Sequence, residues 1–439
     1  MKLRECIVSP CSLRYVVDAL DIQSGVARRQ MMDEEMMTDE AAIRAYYERL
    51  EQYLRVVSEP VHMVAVKNLQ FRLTGLKDLQ TTLANLEAGH TLDDIELFEV
   101  KHLAMLNYEI TKQVAALSLP VTLPDIEDVV RILDPEGLRI ATFYVYEAYS
   151  ERLATLRKAL EQNPTDEQLF VQVQDEEARI RAELSSSLRK YASAIREAHR
   201  QIARIDILLA KAIQTERCGW CFPTLGEETC LTDMWHPEVE EALRGKGRSY
   251  QKNSICFGQQ PTILTGSNMG GKTVVLKTVG LCQYLMQFGF GLPAKAAVMR
   301  PREAIYCCMT DTQSMQEGLS SFAAEMRSID AVIRAARAGQ NILALIDEPA
   351  RTTNPIEGTA LVSALIEVLK ETGISILMVT HYTIDAHACP CLRVRGLENG
   401  VMNYELVPAR AGEVPHEALR IAEQLGIDPI WIEKAKQQI

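Results

Sequence analysis

The residues with the clearest chemistry lie between Pro261 and Gly280, in the run PTILTGSNMGGKTVVLKTVG. Gly266, Gly271, Lys272 and Thr273 stand in the Gly-x-x-x-x-Gly-Lys-Thr order of a phosphate-binding loop. The flanks are what that order requires. Ile263 to Thr265 reads as a short strand and Thr273 to Gln283 as a helix, so the loop joins a strand end to a helix N-terminus. Glycines let the backbone curl with its N–H groups inward, and the helix end adds positive potential for an oligophosphate. The expected nucleotide-binding set is Gly266, Ser267, Asn268, Met269, Gly270, Gly271, Lys272, Thr273 and Val274. Lys272 reaches the outer phosphates, and the Thr273 hydroxyl is placed to hold magnesium.

Two further strand ends carry polar groups that suit hydrolysis. The apolar run in NILALIDEP stops at Asp347-Glu348. Asp347 would hold Mg2+ directly or through water, and Glu348 would polarise the attacking water as a general base. A third run, ISILMVT, leads to His381, where a polar side chain at a strand terminus could meet a γ-phosphate. The catalytic set is therefore Lys272, Glu348 and His381, with Thr273 and Asp347 as metal ligands.

The elements that must position these groups divide the chain in two. Residues 1–214 read as an all-α core and lever domain, with few glycines and apolar positions at helical spacing over Glu40 to Val57 and Thr91 to Val114. Pro120, Pro124 and Pro135 mark breaks. From Leu184 the apolar residues fall at Leu188, Tyr191, Ile195, Ala198, Ile202, Ile205, Leu209 and Ala212, steps of four and three that predict one long heptad helix over about 166–214. That helix is either a member of a helical-bundle core or a lever that transmits motion, and both can hold at once. Over 215–439, short apolar runs such as Thr262 to Thr265, Ile342 to Ile346 and Ile374 to Val379 alternate with helical stretches. That pattern predicts an α/β domain with a largely parallel sheet.

These motifs together resemble the MutS family of ATPases, members of the wider ABC class. TGSNMGGKT is similar to the family's P-loop, with Ser267 where a proline is usual, and the following GGKTVVLKTVGL with Pro293-Ala294 looks closer to the branch not devoted to mismatch repair. DTQSMQEGLSSFAAEM resembles the signature segment, whose serine reaches across a dimer to the partner's γ-phosphate. That residue would be Ser320, with Gln313 in the preceding loop. DEPARTTNPIEG resembles the Walker B segment and VTHY the switch-histidine motif. His236-Pro237 followed by Tyr250-Gln251-Lys252-Asn253 is similar to the entry to the ATPase domain, which makes Tyr250 the aromatic on adenine, with Tyr404 a second contact. Upstream, LANLEAGHTLDDIELFEVKHL and LDPEGLRIATFYVYEAYSERLATLRKAL look like the family's core and lever. The resemblance implies an ABC-type P-loop ATPase domain behind a helical domain, ATP and Mg2+ as cofactors, ATP hydrolysis to ADP and phosphate, and a homodimer with composite sites. It also implies what is missing. The core-like region begins within about 50 residues of Met1, the lever helices are joined by a short turn near Asn163-Pro164-Thr165, and the chain ends at Ile439. The expectation is a protein without mismatch-reading, connector or nuclease domains and with little clamp.

Composition narrows the setting. A formal net charge of −12 argues against a protein whose main task is to coat nucleic acid. No apolar run approaches the roughly eighteen residues of a membrane span, and the N-terminus lacks an export signal, so a cytoplasmic protein with no membrane partner is expected. Eleven cysteines in a chain of this size suit reduced thiols. Cys218-Gly-Trp-Cys221 and Cys389-Pro-Cys391 have metal or redox spacing, but each pair falls on an ATPase-domain loop where no metal is needed. Two readings of the output stand. In one, Arg181, Arg189, Lys190, Arg196, Arg200 and Arg204 form a basic stripe and the protein works on DNA. In the other, Glu183 and Glu197 neutralise that face, and the ATPase remodels or reactivates a protein client such as a metabolic enzyme.

Overall fold

The computed structural model describes residues 1–266, 270–309, 321–351, 353–382, 389–398, 401–409, 422–423 and 426–437. They fall into two compact units. One comprises Met1–Leu20, Glu34–Glu48 and Gln214 onward; the other comprises Asp21–Asp33 and Arg49–Ile213. The last boundary falls between Ile213 and Gln214, and two stretches of the N-terminal region belong to the same unit as the C-terminal residues. Among the described residues no helix is long and apolar enough to cross a membrane.

The second unit is built of helices. Asp94–Ala116 starts at a capping box: the Asp93 carboxylate accepts from the Glu96 N–H at 2.8 Å, and the Glu96 carboxylate accepts from the Asp93 N–H at 3.0 Å. It buries Leu97, Val100, Leu103, Ala104, Ile110 and Val114 along one stripe. Glu151–Gln162 and Glu167–Arg189 are joined by the short segment 163–166, and Asp166 caps the second of them. The predicted single helix over about 166–214 is two helices in the structure. Glu167–Arg189 and Ala192–Cys218 are separate helices, because the Tyr191 N–H bonds back to Leu188 in a tighter i→i+3 turn. The heptad positions survive the break, since Leu184, Leu188, Ile195, Ala198, Ile202, Ile205, Leu209 and Ala212 are all buried.

Among the described residues the C-terminal unit contains ten strands: β1 Thr224–Leu225, β2 Thr229–Met234, β3 Asn253–Phe257, β4 Pro261–Thr265, β5 Ala296–Met299, β6 Ala304–Cys308, β7 Ile342–Asp347, β8 Ser375–Val379, β9 Cys391–Glu398 and β10 Val401–Pro408. A four-stranded sheet has the order β1-β5-β2-β3, and a six-stranded sheet the order β10-β9-β4-β8-β7-β6. The larger sheet is parallel except at β10. β7 and β8 read as continuous apolar runs because helices cover both faces of such a sheet. Ile263, Ile342, Ala344, Ile346, Ile376 and Met378 pack with Ile329, Val332, Ile366 and Leu369 from the flanking helices Ser321–Arg337 and Pro355–Lys370. Strand register aligns the polar ends of this sheet: Val379 pairs with both Leu264 and Asp347, so β4, β8 and β7 end together.

Nine of the eleven cysteines are free, and one pair departs from the reduced state expected. Cys230 on β2 and Cys256 on β3 are directly opposite partners with Cα atoms 4.0 Å apart, and they form a disulfide. Among the described residues, neither Cys218/Cys221 nor Cys389/Cys391 belongs to a group of three or more ligand atoms close enough to share an ion.

Candidate functional site

The common end of β4, β8 and β7 brings three chain segments to one edge, the place where open α/β sheets hold ligands. Backbone bonds tie them. The Thr380 N–H donates to Leu264 O at 3.3 Å, and the Glu348 N–H donates to Val379 O at 2.9 Å. Beyond β4, Gly266 has φ +131° and Gly271 has φ +70°, left-handed values at which a side chain would be strained. Gly271 caps the helix Lys272–Gln287, whose N-terminus therefore opens at the loop.

Lys272 is buried, and its ammonium donates to the loop's own Gly266 carbonyl at 2.8 Å. Thr273 is exposed and donates from Oγ1 to Asp347 Oδ2 at 2.8 Å. The other Asp347 oxygen, Oδ1, is buried and has no hydrogen-bond partner among the described residues. Burial raises the Asp347 pKa and nearby Glu348 adds to the effect, while the Thr273 bond and Lys272 oppose it. A hydroxyl beside a carboxylate with one orphaned oxygen is a hard-oxygen donor set, and it fits magnesium.

Glu348 follows at φ +46°, and Ala350 at φ +60°. Left-handed backbone at non-glycine residues costs about 1–3 kcal/mol each and persists only where surrounding structure holds it. The Glu348 carboxylate is largely buried and lies 3.2 Å from the mostly exposed Arg351 guanidinium. His381 is exposed beyond β8 and lies against the Tyr382 ring, with centroids 4.8 Å apart.

The two aromatic residues proposed for adenine occupy different surroundings. A Cβ added to Gly271 would lie 3.3 Å from the Tyr404 ring, so Tyr404 sits directly on the phosphate-binding loop. Gln251 holds it there, accepting from the Tyr404 N–H at 2.9 Å and donating to Asn403 Oδ1 at 2.8 Å. Tyr250 is half-buried. Burial raises its phenol pKa, opposed by hydrogen bonds with the His236 backbone and Thr278, on the helix that Gly271 caps. Val274 is part of that helix, and its carbonyl accepts from Thr278 Oγ1. Gly270 is buried in the loop. Ser267, Asn268, Met269, Gln313 and Ser320 lie outside the described residues.

Sequence reading missed Gln251, Glu325 and Tyr382. Gln251 stood inside the quoted Tyr250–Asn253 run, but only its contact with Asn403 and Tyr404 gives it a task. Glu325 Oε1 accepts from the Ala350 N–H at 2.6 Å, and the Tyr382 hydroxyl donates to Ala350 O at 2.8 Å.

Residues 262–394 match the family model described as MutS domain V. Similar curated proteins include the one named Endonuclease MutS2 of Thermus thermophilus, 31% identical over 243 residues that cover 55% of this chain and 31% of the relative. Endonuclease MutS2 of Streptococcus pneumoniae is 32% identical over 278 residues, covering 60% of this chain and 34% of its own length. The chain thus spans about a third of the length of these relatives.

Proposed function

We propose that this chain, a protein with a MutS-family ATPase domain, binds and hydrolyses ATP with Mg2+ as a dimeric switch. The observation that carries the reading is the meeting of Thr273, the orphaned Asp347 oxygen and Glu348 at the strand ends beside the phosphate-binding loop. Loop N–H groups and Lys272 bind the phosphates. Lys272 exchanges its bond to the Gly266 carbonyl for a phosphate oxygen, so the loop is charge-complementary before nucleotide arrives. Thr273 and Asp347 hold magnesium, which when bound neutralises charge between the outer phosphates. Glu348 orients the attacking water and takes its proton, and His381 faces the γ-phosphate. Tyr404, with Tyr250, frames the base. In the dimer each site takes Ser320 of the partner subunit, with Gln313 in the preceding loop, so that ATP draws the ATPase domains together and hydrolysis releases them. Helices of the second unit carry that change to a partner.

For the output, family resemblance favours association with DNA without mismatch reading. One observation weighs against a free basic stripe and keeps the second reading, a protein client, in play. Three of the five arginines of the proposed basic stripe are in ion pairs: Arg181 with Asp94 at 2.7 Å, Arg196 with Glu87 at 2.6 Å and Arg200 with Glu197 at 2.7 Å. The deciding experiment is Mg-ATP hydrolysis alone and with homoduplex, mismatched and branched DNA at two salt concentrations. DNA as partner predicts stimulation that fades with salt, because phosphate contacts release counterions. Equal rates throughout exclude DNA as the working partner, and no hydrolysis at all contradicts the ATPase reading.

A further inference from the structure

We infer that Glu325 and Tyr382 are positioning residues that brace the backbone after β7 and so aim the Glu348 carboxylate. The inference rests on the reading of Glu348 as the base. The segment Glu348–Pro349–Ala350 leaves the sheet with two left-handed non-glycine residues, at φ +46° and +60°. A backbone in that region relaxes unless something outside it prevents relaxation. Pro349 has no N–H to contribute. The Glu348 N–H is fixed to Val379, which leaves the Ala350 N–H as the segment's remaining backbone donor, with the Ala350 carbonyl as an acceptor beside it.

Side chains from other elements reach both Ala350 groups, and the Ala350 carbonyl also accepts from the Thr353 N–H at 3.2 Å. Glu325, on helix Ser321–Arg337, accepts the Ala350 N–H at 2.6 Å. Tyr382, just past β8, donates to the Ala350 carbonyl at 2.8 Å, while its own N–H is held by Thr380 Oγ1 at 3.1 Å. The Tyr382 hydroxyl fits only because residue 358 is glycine, since a Cβ there would lie 2.2 Å from that oxygen. Ala350 itself is buried, so bonds lost there are not replaced by bulk water. A carboxylate on one side and a phenol on the other thus hold the two peptide groups that flank the strained Ala350, next to the base. They come from the element that follows the signature segment in sequence and from the one that follows His381.

The test compares Glu325→Ala, Glu325→Gln and Tyr382→Phe with the parent and with Glu348→Gln, measuring kcat, KM, ATP affinity with a fluorescent analogue, and Tm. A misaimed base predicts that Glu325→Ala and Tyr382→Phe lose about tenfold to a hundredfold in kcat at unchanged ATP affinity. Glu325→Gln keeps an acceptor oxygen and recovers most of the rate lost in Glu325→Ala. Tyr382→Phe keeps the ring against His381 and removes a single hydroxyl, so it decides the matter if Glu325→Ala fails to fold. Parent turnover in Glu325→Ala or Tyr382→Phe, with Glu348→Gln inactive, overturns the brace and leaves the base in place. A loss that appears in ATP affinity as much as in kcat also overturns it. Parent turnover in Glu348→Gln removes the base and the brace with it.

Discussion

Each of the two units draws a carboxylate out of water, and the two are treated in opposite ways. In the helical unit Asp134 meets Lys101 at 3.0 Å with both side chains almost wholly inaccessible, and its second oxygen accepts the Arg139 N–H at 2.7 Å. Lys101 also donates to Thr142 O at 3.1 Å and to the Tyr146 hydroxyl at 3.0 Å. Burial alone would raise the Asp134 pKa, but the Arg139 N–H and Lys101 outweigh it and the net shift is downward. In the C-terminal unit Asp347 has one oxygen on Thr273 and the other, buried, on no described group, and burial leaves its pKa raised. Satisfaction, more than burial, separates a structural knot from a site. A fully paired ionic group closes a loop onto a core; an unpaired one stores binding capacity at a cost in stability.

The contrast is open to attack by mutation. Lys101→Met should be the most damaging change, since it strands the buried Asp134 charge; the expected loss is about 3–5 kcal/mol by urea denaturation. A loss below about 1 kcal/mol would mean the Lys101 knot holds nothing.

His236 supplies an intermediate case. It is 1% exposed, both ring nitrogens lack partners among the described residues, and burial lowers its pKa to about 4. The unfolded chain takes up a proton below pH 6.5 that the folded chain refuses until about pH 4. Stability is therefore fully present above about 6.5 and falls as pH drops towards 4, by about 3 kcal/mol from this group. His236→Phe should flatten that part of the stability profile, and an unchanged slope would contradict the assignment.

The smallest effect has the opposite sign. Asp347→Asn removes a poorly satisfied buried charge and should stabilise the nucleotide-free protein by about 1 kcal/mol while abolishing the magnesium dependence of ATP binding. Destabilisation would place Asp347 with Asp134, as a structural group.

Legibility in the sequence depended on how local each signal is. The strand-loop-helix order from β4 to Lys272–Gln287, β7 ending at Asp347, and β8 ending before His381 were readable because each is a short apolar run ending in a polar group within a few residues. Tyr404 was placed only by resemblance, and the structure sets it on Gly271. Gln251 was passed over because its partners, Asn403 and Tyr404, lie on another strand far along the chain. Glu325 and Tyr382 read as an ordinary helix residue and a residue after a motif, and only the fold brings both to Ala350. The disulfide depended on the pairing register of β2 and β3, which composition does not encode. Periodicity found the buried face across residues 184–212 yet missed the break at Lys190–Tyr191, since a tight turn leaves the apolar phase intact.

The most direct test of the central claim measures phosphate release and ATP affinity in the same samples of parent and Glu348→Gln protein, with and without Mg2+. The parent should show magnesium-dependent turnover, and the variant retained ATP binding with turnover reduced about a hundredfold or more. Turnover by Glu348→Gln at the parent rate would contradict that claim.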